Sequence, residues 1–169
     1  LDEVLGGKAD FGTHYSTVIR ARMQGKPVVL LANYFKRSPL AFAVKPEIYS
    51  PADLKGKRVM GERHELSSAN FAQMLLQFGM TSDDFTIVPH TFSIDPFLRG
   101  DVDAMTVFLT NEVYHLRKNK VSFNIIDPNN YGVPLYDVTH FSSQEFVDKN
   151  HQVTKSFIEA SNKGWQDAM

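Results

Sequence analysis

Ser38-Pro39-Leu40-Ala41-Phe42-Ala43-Val44-Lys45 is the stretch on which the fold turns. An unbroken apolar run after a Ser-Pro step reads as a buried strand. No amphipathic helix follows it. Instead Ser50-Pro51-Ala52-Asp53-Leu54 predicts a short helical turn, with Ser50 as N-cap and Pro51 at the first helical position. The strand therefore stands alone. A second lone strand is predicted at 135–141, after the loop Pro128-Asn129-Asn130-Tyr131-Gly132-Val133-Pro134. Two lone strands flanking an α/β block read as two crossings between lobes. Residues 1–45 are then part of lobe I, 46–127 are lobe II, and 128–169 are the return crossing and the rest of lobe I.

Around these crossings short apolar runs alternate with helical patterns. Strands are predicted at 9–12, 28–33, 58–61, 85–88, 102–108 and 123–126. The helix predicted at 16–24 ends at Gly25, and the one at 65–78 ends at Gly79, both suited to a left-handed C-terminal turn. A last helix is predicted at 151–169, with Val153, Phe157, Ala160, Gly164, Trp165 and Ala168 on one face. The alternation predicts α/β architecture with a largely parallel sheet. Leu5-Gly6-Gly7-Lys8-Ala9-Asp10-Phe11-Gly12-Thr13 also aligns with Leu98-Arg99-Gly100-Asp101-Val102-Asp103-Ala104-Met105-Thr106. Each copy reads as a helix end turning at glycine into a strand that feeds a new helix.

The chain has 169 residues, 43% of them hydrophobic and 22% charged, which suits a folded core. A formal net charge of -1 gives no electrostatic footprint for nucleic acid. There is no cysteine, which removes disulfide scaffolds, thiolate-bound zinc, iron–sulfur clusters and thiol nucleophiles. No apolar run approaches the roughly 20 residues that span a bilayer. No leader is seen, and the opening on Leu1 inside a helical pattern suggests a fragment of a longer protein. Glu62-Arg63-His64-Glu65-Leu66-Ser67-Ser68 misses the zinc-protease helix, because Ser68 stands where the second histidine would be. The six histidines show no metal-ligand spacing. No phosphate loop, dinucleotide fingerprint or nucleophile elbow is present. The sequence thus calls for no metal and no cofactor.

With the crossings and the repeat in place, the chain resembles the type II periplasmic solute-binding proteins. The branch it is similar to holds binders of thiamine pyrimidine precursors, nitrate, taurine and sulfonates. The residues that carry this are Gly7-Lys8-Ala9-Asp10-Phe11-Gly12, Gly25-Lys26-Pro27-Val28-Val29, Ser38-Pro39-Leu40, Ser50-Pro51-Ala52-Asp53-Leu54-Lys55-Gly56-Lys57-Arg58-Val59 and Gly100-Asp101-Val102-Asp103-Ala104. The resemblance implies a two-lobed α/β fold of that type, with lobe I incomplete in this fragment. A missing segment would expose a strand edge of lobe I and invite dimerisation through it. Thr110-Asn111-Glu112, Asp127-Pro128 with Tyr131-Gly132, and 156–165 resemble the variant fused to diguanylate cyclase, PAS or histidine kinase modules.

In open α/β sheets ligands lie beyond the carboxyl ends of the strands. Four strand-to-helix junctions offer candidates. At 12–16, Thr13, His14 and Tyr15 supply hydroxyls, an imidazole and a stacking face, although Thr13 or Ser16 would serve equally as a helix cap. At 33–38 the resemblance implies a cleft position for Tyr34, Arg37 and Ser38, with Arg37 able to clamp an anion. At 61–67, Glu62 or Glu65 would select an amine, or merely favour a helix start. At 106–112, Thr106, Asn111 and Glu112 are contacts or caps. Tyr131 and Tyr136, near the return crossing, would close over a ligand or pack a hinge.

The resemblance implies an extracytoplasmic, non-enzymatic domain that closes over a small-molecule solute between its lobes. Its output is either a signal through a membrane-tethered module, the reading the narrower resemblance favours, or hand-over to an ABC permease. It would be held at the membrane through its parent chain or partner. An enzyme like the pyrimidine synthases is a weaker reading, because that activity relies on a cysteine-rich iron motif. A cytoplasmic regulator domain of the same topology is a third.

Overall fold

A computed structural model describes residues 1–168; the last residue of the helix predicted at 151–169 lies outside the described residues. In chain order the elements are α1 (Asp2–Leu5), β1 (Phe11–His14), α2 (Thr17–Met23), β2 (Val28–Phe35), β3 (Leu40–Val44), β4 (Arg58–Met60), α3 (Arg63–Leu66), α4 (Ala69–Leu76), β5 (Thr86–Val88), α5 (Asp95–Arg99), β6 (Ala104–Phe108), α6 (Glu112–Lys118), β7 (Asn124–Ile126), β8 (Asp137–Ser143), α7 (Gln144–Lys149) and α8 (His151–Ala168). Short 3-10 turns lie at Pro51–Leu54, Ser82–Asp84 and Pro128–Tyr131.

The chain divides into two compact units, Leu1–Lys36 with Tyr136–Met169, and Arg37–Leu135. The lobe boundaries expected after 45 and after 127 therefore fall after Lys36 and after Leu135. The reason is pairing. β3 binds β6 and β7 along its whole length and so belongs to the second unit. Isolation in sequence marked β3 correctly as a strand next to a crossing, but the crossing precedes it.

The sheets are less parallel than the alternation suggests. In the first unit the order is β1-β8-β2, and β8 runs antiparallel to both neighbours. β1 and β2, joined by α2, do point the same way, as a strand–helix–strand unit requires. β8 enters between them from far along the chain. In the second unit the order is β5-β4-β6-β3-β7. β4 is parallel to β5 and β6, while β3 is antiparallel to β6 and β7. Local sequence pattern carries the direction of consecutive strands but not the insertion of a distant one.

All five residues of β3 are buried, as a central strand covered on both faces demands. Ala41 and Ala43 join Met60, Met105, Val107 and Leu116 on one face. Phe42 points to the other and stacks on Phe71 of α4, with centroids 4.1 Å apart. In the first unit Val4, Val18, Val28 and Phe141 form one core. On the opposite face α8 lays Phe157 over Phe11 at 4.0 Å and Trp165 over Tyr34 at 5.1 Å. Phe157 and Trp165 lie on the packed face as expected, but Val153 is 53% exposed, and Thr154 is the buried residue of that turn.

The helix predicted at 65–78 is two helices, α3 and α4. Ser67 and Ser68 interrupt it: Ser67 Oγ donates to the Arg63 carbonyl, and Ser68 Oγ to the Glu65 carbonyl. Such local bonds compete with helix continuation. Strand 9–12 sits at β1 and strand 135–141 at β8, each displaced by two residues. Gly25 and Gly79 hold the expected positive φ, 83° and 66°. In the turn after Ser50, Asp53 Oδ2 accepts the Tyr49 and Ser50 backbone N–H groups, each at 2.9 Å. Those bonds hold its carboxyl below the usual carboxylate range.

Candidate functional site

In the Arg37–Leu135 unit the carboxyl ends of β4 and β6 and the start of β3 meet at one edge of the sheet. Thr106 pairs directly with Phe42 across β6 and β3, so both side chains share a face. From there Thr106 Oγ1 donates to Glu65 Oε2 at 3.0 Å. The Glu62 backbone N–H reaches the same oxygen at 3.4 Å, closing the first turn of α3. Both Thr106 and Glu65 are buried. Gly61 makes this approach possible. A Cβ there would lie 2.8 Å from Thr106 Cγ2 and 3.2 Å from Leu66 Cδ1.

The pair continues into a chain of polar groups, buried at Ser68, Asn70 and Ser38 and half-buried at Asn129 and Asp127. Ser68 Oγ lies 2.5 Å from Asn70 Oδ1. Asn70 Nδ2 donates to Ser38 Oγ at 3.4 Å. Ser38 Oγ also accepts the Leu40 N–H at 3.2 Å, and the Ser38 carbonyl accepts Asn129 Nδ2 at 3.0 Å. Asn129 Nδ2 also donates to Asp127 Oδ1 at 2.7 Å, while Asn129 Oδ1 is buried with no partner. Buried polar groups offset their desolvation by bonding one another, and such a chain fixes the arrangement of its side chains.

Glu62, Glu65 and Thr106 are thus brought together, with Ser38 joined to them through Ser68 and Asn70. At the end of β6, Glu112 Oε2 accepts the Phe108 N–H at 2.7 Å, and Oε1 accepts Asn111 Nδ2 at 2.9 Å. Both oxygens therefore serve the start of α6. Asn111 takes the cap position but makes no side-chain cap bond. Arg37 is exposed, and its guanidinium forms no ion pair among the described residues. Tyr131 packs edge-on against Phe78 at 5.6 Å, and burial raises its phenol above the usual range. At the opposite, amino end of β4 and β6 Asp103 takes Arg58 Nη2 at 2.8 Å and Nε at 3.1 Å. Those bonds hold the Asp103 carboxyl below its usual range.

The loop after β5 adds residues that no sequence pattern singled out. His90 Nδ1 accepts the Phe92 N–H at 2.8 Å. The neutral imidazole then carries its proton on Nε2, which faces the Thr106 carbonyl at 3.1 Å. Phe92 adopts φ 56°, which for a side chain of this kind costs about 1–2 kcal/mol.

In the first unit the ends of β1 and β2 meet the start of β8. Thr13 Oγ1 lies 2.8 Å from His140 Nδ1, and the Tyr34 ring stands edge-on to His140 at 5.1 Å. Tyr34 donates its hydroxyl to Asn162 Oδ1 of α8 at 3.0 Å. His140 was hidden from sequence reasoning, because only the register of β8 against β1 places it beside Thr13. Ser16, not Thr13, takes the cap position of α2 but makes no side-chain cap bond. His14 Nδ1 accepts the Tyr15 N–H at 2.8 Å and lies 2.8 Å from Thr17 Oγ1. Tyr15 rests edge-on against that ring at 5.6 Å. Tyr136 is 56% exposed. Beneath it, Val138 holds φ 53°, and Asp137 Oδ1 accepts the Val138 N–H at 2.7 Å.

Burial pushes the His140 imidazole below its ordinary value, so it favours the neutral form in the folded chain. Below about pH 6.5 the unfolded chain takes up this proton more readily than the folded one. Stability is full above that value and declines as pH falls from there to the lowered folded value. Urea unfolding from about pH 7.5 to 5.5 should show a smaller loss in His140→Gln than in the parent chain.

Among the described residues no group of three or more His, Cys, Asp or Glu could hold a metal ion, and no helix is long and apolar enough to cross a membrane.

Two sheets, each offering polar groups and helix starts at the carboxyl ends of its strands, define a fold of the periplasmic binding protein type. The aliphatic sulphonate binding protein SsuA from Escherichia coli superposes with a TM-score of 0.64 at 18% identity, covering 99% of this chain and 60% of that one. The chain belongs to the NMT1/THI5-like family, whose model matches residues 1–169. A Haemophilus influenzae protein named for thiamine biosynthesis is 28% identical over 94% of this chain and 55% of its own length. The riboflavin-binding protein RibY of Chloroflexus aurantiacus is 25% identical over 96% of this chain and 47% of its own length. The chain spans about half the length of these curated relatives.

Proposed function

We propose that the chain binds a small solute as the recognition component of an extracytoplasmic ABC uptake system. The observation that carries this is the buried Thr106–Glu65 pair and its extension through Ser68, Asn70 and Ser38 at the carboxyl edge of the five-stranded sheet. That edge is where α/β sheets take ligands. Membership of the NMT1/THI5-like family and the names of the relatives support the same reading. The arrangement supplies recognition rather than turnover: hydroxyl, amide and carboxyl groups fixed by one another, with Arg37 exposed beside Ser38 at the start of the unit. The ligand contacts proposed are Ser38, Arg37, Glu62, Glu65, Thr106, Asn111, Glu112 and Tyr131 in one unit, and Thr13, His14, Tyr15, Tyr34 and Tyr136 in the other.

The same binding body would also serve a membrane sensor. That output is favoured by the residues at the β6–α6 junction, Thr110-Asn111-Glu112, which resemble the sensor-fused variant. Full-length flanking sequence separates the two outputs: a cyclase or kinase module means sensor.

Thermal unfolding with riboflavin, thiamine and ethanesulfonate tests the binding claim. A probe present at about 100 times its dissociation constant stabilises the chain by about 2.7 kcal/mol. Thr106→Val should reduce the shift given by the bound probe. No shift with any of the three would contradict the proposal.

A further inference from the structure

Phe92 is the least accommodated side chain of the Arg37–Leu135 unit. It is 82% exposed, although aromatic surface gains by burial. It also holds φ 56°, a conformation that glycine or asparagine adopts far more easily than phenylalanine. Its ring gains only a tilted contact with His90, at 5.0 Å.

The loop that presents it is nevertheless firmly built. His90 ties the Phe92 N–H to the Thr106 carbonyl, at 2.8 and 3.1 Å. Thr91 Oγ1 reaches Met60 Sδ at 3.7 Å, and Ser93 Oγ accepts the Asp95 N–H at 3.1 Å. An exposed, sterically unfavourable aromatic on a cross-linked loop, anchored to the residue that also holds Glu65, is what a binding site maintains and a folding core does not.

We infer that Phe92 is a stacking platform for a planar aromatic ring in the solute. This rests on the solute-binding reading and narrows it to aromatic ligands. His90 touches the ring only at a 35° tilt, and the exposed ring remains accessible to a flat partner. Stacking tolerates any π face, so the platform selects for planarity rather than for one pattern of hydrogen bonds.

Titration calorimetry on the whole chain tests this with riboflavin and thiamine as planar aromatic probes and ethanesulfonate as the aliphatic control. The chain should bind at least one aromatic probe. Phe92→Leu should weaken that binding about 10- to 100-fold, and Phe92→Tyr should leave it within about threefold. Thermal unfolding of the Leu variant should match the parent, because the ring contributes little to the core. Equal affinity in Phe92→Leu and the parent overturns the inference. Binding of ethanesulfonate alone also overturns it and leaves the solute-binding reading standing. Binding of none of the three overturns both.

Discussion

Phe42→Ala should lower the stability of the Arg37–Leu135 unit by about 3–5 kcal/mol. Phe42 is fully buried on a strand that is itself fully buried. Its ring lies 4.1 Å from Phe71 at 22°, so truncation removes a stacked pair and leaves a cavity. β3 is hydrogen-bonded on both edges and cannot shift to fill the space without breaking its register with β6 and β7. For a unit of this size the loss corresponds to a fall in melting temperature of roughly 12 °C or more. Urea unfolding checks it. A change under about 1 kcal/mol would mean that Phe42 is not the central packing residue.

Gly61→Ala should have the second-largest effect, a loss of about 1–3 kcal/mol together with weakened ligand binding. The added Cβ would lie 2.8 Å from Thr106 Cγ2 and 3.2 Å from Leu66 Cδ1 and Cγ, all on buried residues. Either β6 or α3 must retreat. Both hold the Thr106–Glu65 contact, so the damage to stability and to the site arises from one displacement. Gly7→Ala is the contrast: it meets nothing within 4 Å, and its effect comes from a φ of 71° alone. Comparing the two variants in stability and in probe binding separates close approach from backbone conformation.

How much of this was legible in the sequence depended on distance along the chain. Local signals are legible in it. The repeat aligned Gly7 with Gly100 and Thr13 with Thr106, and each copy is a helix end, a glycine at positive φ and a strand leading to a helix. Both threonines bond polar partners, His140 and Glu65. Glu65 and Thr106 were each singled out as candidates at separate junctions, and the fold brings them to 3.0 Å. What sequence could not give was pairing between distant segments. His140 reaches Thr13 through strand register, Asn70 reaches Ser38 across the unit, and β8 slips between β1 and β2. Phe92 escaped because its loop has no periodicity, and its signature is a backbone angle that appears only in three dimensions.

Glu112 shows the converse. An acidic residue in a first helical turn offered two roles, and the structure gives its oxygens to Phe108 and Asn111. A carboxylate so engaged stabilises the helix start whether or not a solute also reaches it.

Native mass spectrometry of the chain after incubation with a small-molecule extract of bacterial cells tests the central claim most directly. Solute binding at the Thr106–Glu65 edge predicts a single added mass, one per chain, that diminishes in Thr106→Val while the variant remains folded. An unmodified chain mass at every extract concentration would contradict it.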